Sequence, residues 1–286
     1  MKIRAGFTLG YKNMQPTPML LALNIRPERR SDLLTEQRLA FDPPVPLREY
    51  IDGFGNSCGR IVAPAGSITI STAFEIEDSG EPDRIAPEAV QHEIGDLPYD
   101  VIVFLLGSRY CETDRLSDFA WHEFGKTPPG WARVQAICDF VHGHITFGYP
   151  HANPLRTAHD GFVERKGVCR DFAHLAVTLC RCMNIPARYC TGYLGDIGVP
   201  PDGAAMDFSA WFQVYLSGTW HTFDARHNKP RIGRVLMAVG RDATDVALTT
   251  SFGPSKLEAF KVVTDEVPAP EDGSGVTPEP MAASAI

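Results

Sequence analysis

No stretch of this 286-residue chain is apolar for long enough to cross a bilayer. The longest candidate run, VIVFLLG from Val101 to Gly107, is far short of the roughly 20 residues that a spanning helix needs. The N-terminus, MKIRAGFTLGYKN, has no signal-peptide core, because its apolar residues alternate with polar ones. A cytoplasmic location with no membrane partner is therefore expected. Basic residues are scarce: 27 Lys and Arg face 35 Asp and Glu, a net charge of -8. Without clustered cations there is no phosphate-tracking surface, which argues against a nucleic-acid partner. The cysteines number seven, an odd count scattered along the chain, so they form no secreted disulfide framework. In a reducing compartment most of them should be small buried hydrophobes. The chain has no internal repeat, and PRIGRV (Pro230 to Val235) matches no phosphate loop, so no cofactor is indicated.

What the chain does contain is an ordinary soluble composition, 44% hydrophobic and 22% charged, at a length suited to two domains. Residues 1–112 read as strands. Ile3, Ala5, Phe7, Leu9 and Tyr11 fall on one face at period two, as do Ile68, Ile70, Thr72, Phe74 and Ile76. Turn clusters such as YIDGFGNSCG and the proline-rich FDPPVP separate them, which suggests an all-β, sandwich-like domain. Over residues 113–265 the period changes. Trp131, Val134, Ile137, Cys138 and Val141 recur at helical spacing after the breaker TPPG, and a second helix is expected from about Cys169 to Met183. Strands follow at ARYCTGYLG and DFSAWFQVYLSGTWHTFDA, giving an α+β second domain. Residues 266–286 belong to an acidic, proline-rich segment expected to be a mobile tail.

The chemistry centres on GVCRDFAHL, Gly167 to Leu175. Cys169 opens the second helix, where the helix dipole and free N–H groups favour a thiolate and could receive an oxyanion. Position alone fits a nucleophile and a packed thiol equally well. The hairpin adds direction. Ser217-Gly218 suits a two-residue turn, so Trp211 should pair with Asp224, Gln213 with Thr222 and Val214 with His221. Ser209, Trp211, Gln213, Thr222 and Asp224 then share the less apolar face, and Asp224 lies diagonal to position 209. A histidine at 209 would complete a Cys–His–Asp relay. The residue is serine.

The segments GVCRDFAHL, NIPARYCTGYLG and DFSAWFQVYLSGTWHTFDARHN together resemble the core of the transglutaminase-like superfamily. The resemblance implies a papain/transglutaminase-like core in which Cys169 is the nucleophile and Asp224 the orienting acid. Ser209 stands where that family carries its histidine, in SAW instead of HAW, and serine is no base at neutral pH. The implied activity is thiol-dependent acyl chemistry on a peptide or amide substrate, hydrolysis more than crosslinking. The alternative is a binding or scaffold module that kept the fold and lost the base.

Other histidines were weighed as substitutes. His221 points away from Asp224. His174 lies about 140° around the helix from Cys169. His227, in DARHN, could fold back from the strand end; it is the best surrogate, with a surface or capping role as the other reading. Asp171 and Trp211 complete the candidate lining, Trp211 as a substrate-channel residue in preference to a core one. Cys138, His142 and His144 have partial metal-ligand spacing, but no second pair accompanies them, so no metal is expected.

Overall fold

The computed structural model describes residues 1–200 and 206–268. In chain order the strands and helices are β1 (Lys2–Asn13), β2 (Thr17–Leu21), β3 (Ala40–Asp42), β4 (Arg48–Ile51), β5 (Ser57–Ala63) and β6 (Gly66–Glu77), then α1 (Tyr99–Ile102), α2 (Thr113–Phe124) and α3 (Trp131–His144). These are followed by β7 (Thr146–Phe147), α4 (Ala158–Glu164), β8 (Lys166–Gly167), α5 (Cys169–Cys182), β9 (Ala187–Tyr193), β10 (Ser209–Leu216), β11 (Thr219–Phe223), β12 (Val235–Gly240), β13 (Thr249–Ser251) and β14 (Ser255–Val267).

The period-two faces of β1 and β6 do what their spacing implies. Ile3, Ala5, Phe7 and Leu9 are buried, as are Ile68, Ile70, Phe74 and Ile76. Each such burial contributes roughly 1.5–3 kcal/mol for the larger side chains. The two strands belong to a four-stranded antiparallel sheet, β14-β1-β6-β3, and a second sheet, β13-β2-β5-β4, packs against it through Met19, Leu21 and Ile61. The first domain is thus a β-sandwich.

In the second domain α5 is the central element. Every residue from Asp171 to Cys182 is buried, and a helix covered on all sides is a core helix. It lies between α2, α3 and α4 and an antiparallel sheet ordered β11-β10-β9-β12. Arg181, buried near the end of α5, donates to the carbonyls of Ala187, Leu106 and Arg241 and so fastens three loops to the helix. The β10–β11 turn has Ser217 at φ 48° and Gly218 at φ 80°, the paired left-handed residues of a type I′ hairpin.

The division at residue 265 is corrected by the strand pairing. β13 pairs with β2, and β14 pairs with β1 from Lys256↔Lys12 to Val267↔Lys2. The chain therefore returns to the first domain after β12. Alternation identifies a strand but not the sheet it joins, which depends on a free edge that local spacing does not reveal. Glu266 and Val267, assigned to the tail, are the last rungs of this ladder, opposite Ile3 and Lys2. The remainder of the expected tail, 269–286, lies outside the described residues.

Ending the chain after Pro268 leaves the β1–β14 ladder whole, and its melting temperature should match that of the full chain. Ending it after Pro254 removes β14 and uncovers β1. That variant should melt about 10 °C lower or more, since several kcal/mol are lost at about 2–4 °C per kcal/mol. Equal melting of the two truncations would show that β14 contributes nothing to the sandwich.

Candidate active site

The position of Cys169 follows from the residues just before it. β8 pairs in parallel with β7 and delivers the chain to the start of α5. There the Val168 N–H donates to Asp171 Oδ2 at 2.8 Å, a carboxylate of the first turn reaching back over the helix start. A Cβ on Gly167 would lie 2.6 Å from that carboxylate, so the close approach requires glycine. Asp171 Oδ2 also accepts Arg156 Nη1 at 3.1 Å, with the Asp171 side chain fully buried. Asp171 is therefore a brace for the helix start and not part of the cleft lining, as the sequence had suggested. Its acidic character drew it into the wrong role, because the buried arginine that neutralises it lies 15 residues upstream.

Among the described residues Cys169 is the one cysteine that is part-exposed; the other six are buried. It sits in an open cleft of about 730 Å³ together with Ser209, Asp207, Tyr189 and the β12–β13 connection. Burial pushes its thiol up to about 11, aided by Asp207 and Asp224; Arg226 and the Ala210 N–H act in the opposite direction. Desolvation thus outweighs the helix start, contrary to the expectation of an acidified thiol. Cys58 is also raised to about 11, so accessibility and not acidity sets Cys169 apart.

The hairpin register is the one the turn implied: Gln213 opposes Thr222 and Val214 opposes His221, with Phe212 opposite Phe223 as the last rung. Phe212, Val214 and Phe223 belong to the core around α5. Asp224, the next residue, lies on the other face and is nearly enclosed. Its Oδ1 accepts the N–H groups of Arg226 and His227 at 3.0 and 3.1 Å. Its Oδ2 accepts Arg234 Nη2 at 2.9 Å and His227 Nδ1 at 2.8 Å. Burial alone would raise this carboxyl; Arg234 and then His227 override it and hold Asp224 well below the usual carboxylate range. Arg234 in turn is gripped by Asp83, with Nε 2.9 Å from Oδ2.

His227 therefore does fold back from the strand end. With Ser209, Asp207 and Arg226 it lines a pocket of about 50 Å³, room for a water molecule. Asp207, Phe208 and Ser209 line both this pocket and the Cys169 cleft, so they form the partition between them. No hydrogen bond joins Cys169 to an imidazole among the described residues.

Trp211 is a correction. It is 2% exposed and packs with Cys190, Val239 and Phe54, with the Arg234 guanidinium 5.0 Å from its ring. The less apolar face of the hairpin is covered by Phe54 of the first domain, and a buried interface there carries mixed residues that resemble a cleft in sequence. His174 is also buried, stacked between Tyr110 and Tyr189, and accepts the Ala243 N–H at Nε2. Burial pushes it down to about 3, so it stays neutral. His221 is buried on the helix-facing side with Nε2 against the Leu216 carbonyl. His142 and His144 bond the carbonyls of Arg226 and Phe162. Among the described residues no three His, Cys, Asp or Glu side chains are grouped to hold a metal, and no helix is long and apolar enough to cross a membrane.

Sequence reasoning missed Arg234, Asp83, Arg226 and Asp207. Arg234 lies within PRIGRV, a segment inspected only for phosphate-loop spacing, and its partner Asp83 is 151 residues away.

The raised thiol carries a direct consequence. Alkylation of Cys169 by iodoacetamide should accelerate continuously from pH 6 to pH 10 with its midpoint near 11, and Arg226→Gln should slow it at every pH. Peptide mapping reads the rate at each cysteine. A plateau below pH 7 would instead reveal a thiolate–imidazolium pair.

Comparison with known proteins agrees with this geometry. Residues 121–225 match the profile of the transglutaminase-like superfamily. A crystal structure from Cytophaga hutchinsonii, described as a candidate cysteine protease, is 31% identical and superposes at a TM-score of 0.79, over 94% of this chain and 92% of that one. An uncharacterised Mycobacterium leprae protein is 34% identical over 122 residues, which is 41% of this chain and 39% of that protein's length. The near-complete alignment with the first of these, together with the superfamily match across the helix, strands and aspartate described above, places the chain in a family: it belongs to the transglutaminase-like superfamily.

Proposed function

We propose that this protein is a thiol-dependent peptide or amide hydrolase in which Cys169 is the nucleophile and His227, oriented by Asp224, replaces the histidine absent at position 209. The observation that carries this reading is the 2.8 Å bond from His227 Nδ1 to Asp224 Oδ2, in a pocket that shares Ser209 and Asp207 with the Cys169 cleft. That bond fixes the tautomer and leaves Nε2 free to take a proton.

With the thiol near 11, only about 10⁻⁴ of it is ionised at neutral pH, so attack needs a base. The Cys169 S–H proton passes to His227 Nε2 past the partition at Ser209, relayed by a water in the His227 pocket. The sulfur bonds to the substrate carbonyl carbon. The Cys169 and Arg170 N–H groups at the start of α5 receive the developing oxyanion, since those of Asp171 and Phe172 already donate to the Val168 carbonyl. The imidazolium returns the proton to the leaving amine as the C–N bond breaks, leaving a thioester. Water then attacks the thioester with His227 again as base, releasing the acid and restoring the thiol. An amine in place of water would give acyl transfer.

The raised thiol and the serine at 209 favour a second reading, a binding module built on the same cleft. Two substitutions separate them. Under the hydrolase reading the wild type cleaves an activated amide, and His227→Ala lowers kcat by about 10²–10⁴-fold. Under the binding-module reading the wild type is inert, and Ser209→His combined with His227→Ala, which frees Asp224 for the new ring, creates activity that was not there. Turnover that survives with both Ser209 and His227 replaced by alanine would exclude the proposed base.

A further inference from the structure

We propose that the Cys169 cleft selects substrates carrying a carboxylate, bound at the lip formed by Arg109. This deepens the hydrolase reading by naming a substrate class, an acidic peptide or acylamino acid with an apolar body.

Arg109 is exposed, lines the cleft, and makes no ion pair among the described residues. Its guanidinium lies 5.1 Å from the centre of the Tyr110 ring. Arg170, which follows Cys169, lies 5.3 Å from the same ring. One aromatic ring therefore holds two like charges at the edge of the cleft, which is favourable to each singly but repulsive between them. Tyr110 has no freedom to relieve this. Its N–H donates to Asp242 at 2.8 Å, its hydroxyl donates to the Pro154 carbonyl at 2.9 Å, and its ring stacks on buried His174 at 5.0 Å.

The two cations differ in what balances them. Arg170 donates to the carbonyls of Asn153 and Pro154 and stands 3.5 Å from Asp171. Arg109 has nothing comparable, in a chain whose net charge is -8. Among the described residues Asp207 is the one carboxylate lining the cleft, and it faces Arg226 beside Ser209. Ala243, Val246, Leu248 and Phe260 supply apolar wall. The chemistry missing from this surface is an anion opposite Arg109, and a substrate carboxylate supplies it in the bidentate form that guanidinium favours.

The test needs only the thiol, so it reads out whether or not the protein hydrolyses amides. Bromoacetyl-alanine and bromoacetyl-alanyl-alanine, each as free acid and as amide, alkylate Cys169 as its thiolate displaces bromide from the bromoacetyl carbon. Peptide mapping gives the acid-to-amide rate ratio at that residue. In the wild type at low salt the acid should react about 10-fold faster. Arg109→Gln should abolish the preference, Arg109→Lys should retain much of it, and about 0.5 M salt should collapse it. Arg60→Gln, on the first domain, should leave it intact. The proposal is overturned if the amide reacts as fast as the acid in the wild type, or if Arg109→Gln and Arg60→Gln lower the ratio equally. An intact preference in a protein with no turnover would sink the hydrolase reading and leave the anion site standing.

Discussion

The carboxylate of Asp224 is the fixed point of this structure. It holds four donors, two main-chain N–H groups, the Arg234 guanidinium and the His227 ring. Arg234 passes the constraint on to Asp83 in the connection between β6 and α1, and its guanidinium also covers Trp211. One buried charge network thus ties the end of β11, the start of β12 and the β6–α1 connection together. Such a network is costly to desolvate and more costly to break: removing one member leaves an unpaired buried charge worth about 3–5 kcal/mol. The retained ion pairs make sense as a device that fixes geometry, since the network sets the direction of the His227 imidazole.

Two effects compete at Cys169, and their magnitudes decide the state of the thiol. A helix start contributes about 0.3–1 kcal/mol toward the anion, less than one pKa unit. Raising the thiol from 9.0 to about 11 corresponds to about 2.7 kcal/mol at 1.36 kcal/mol per unit. Desolvation therefore wins unless a cation sits against the sulfur. In a Cys–His relay the imidazolium is that cation. Here Arg226 is the cation acting on the thiol, and its guanidinium rests 3.8 Å from the Phe147 ring. The thiol therefore stays protonated at neutral pH, with no standing ion pair.

The residues legible in advance were those whose placement is local. The β1 and β6 faces, the start of α5, the Ser217-Gly218 turn and the register that follows from it all rest on spacings of a few residues, and all appear in the fold as read. The return of His227 to Asp224 was also within local reach, three residues apart at the end of a strand. The misreadings share the opposite property. Asp171 needed Arg156, Trp211 needed Phe54 and Arg234, and β14 needed the free edge of β1. Each partner is distant in sequence, and nothing in the local pattern distinguishes a polar residue facing a buried partner from one facing solvent.

An imidazole on the turn at 227 is held differently from a side chain on the strand at 209. Position 209 is locked by the β9–β10 ladder opposite Gly192, where the backbone cannot shift without disturbing the sheet. Position 227 depends on a turn closed by the Asn228 N–H to Asp224 carbonyl bond at 2.7 Å, with Asn228 in the left-handed region at φ 49°. The Asn228 side chain is held in turn by Asp139 and Gln135 of α3, at 2.8 and 3.0 Å. The turn that carries the ring at 227 is thus anchored to α3, which packs against α5. Asp224 also has no oxygen to spare, because both already accept two donors. A histidine at 209 would compete with His227 for the same carboxylate, so the two positions exclude each other as full partners. Serine at 209 leaves that carboxylate to the turn.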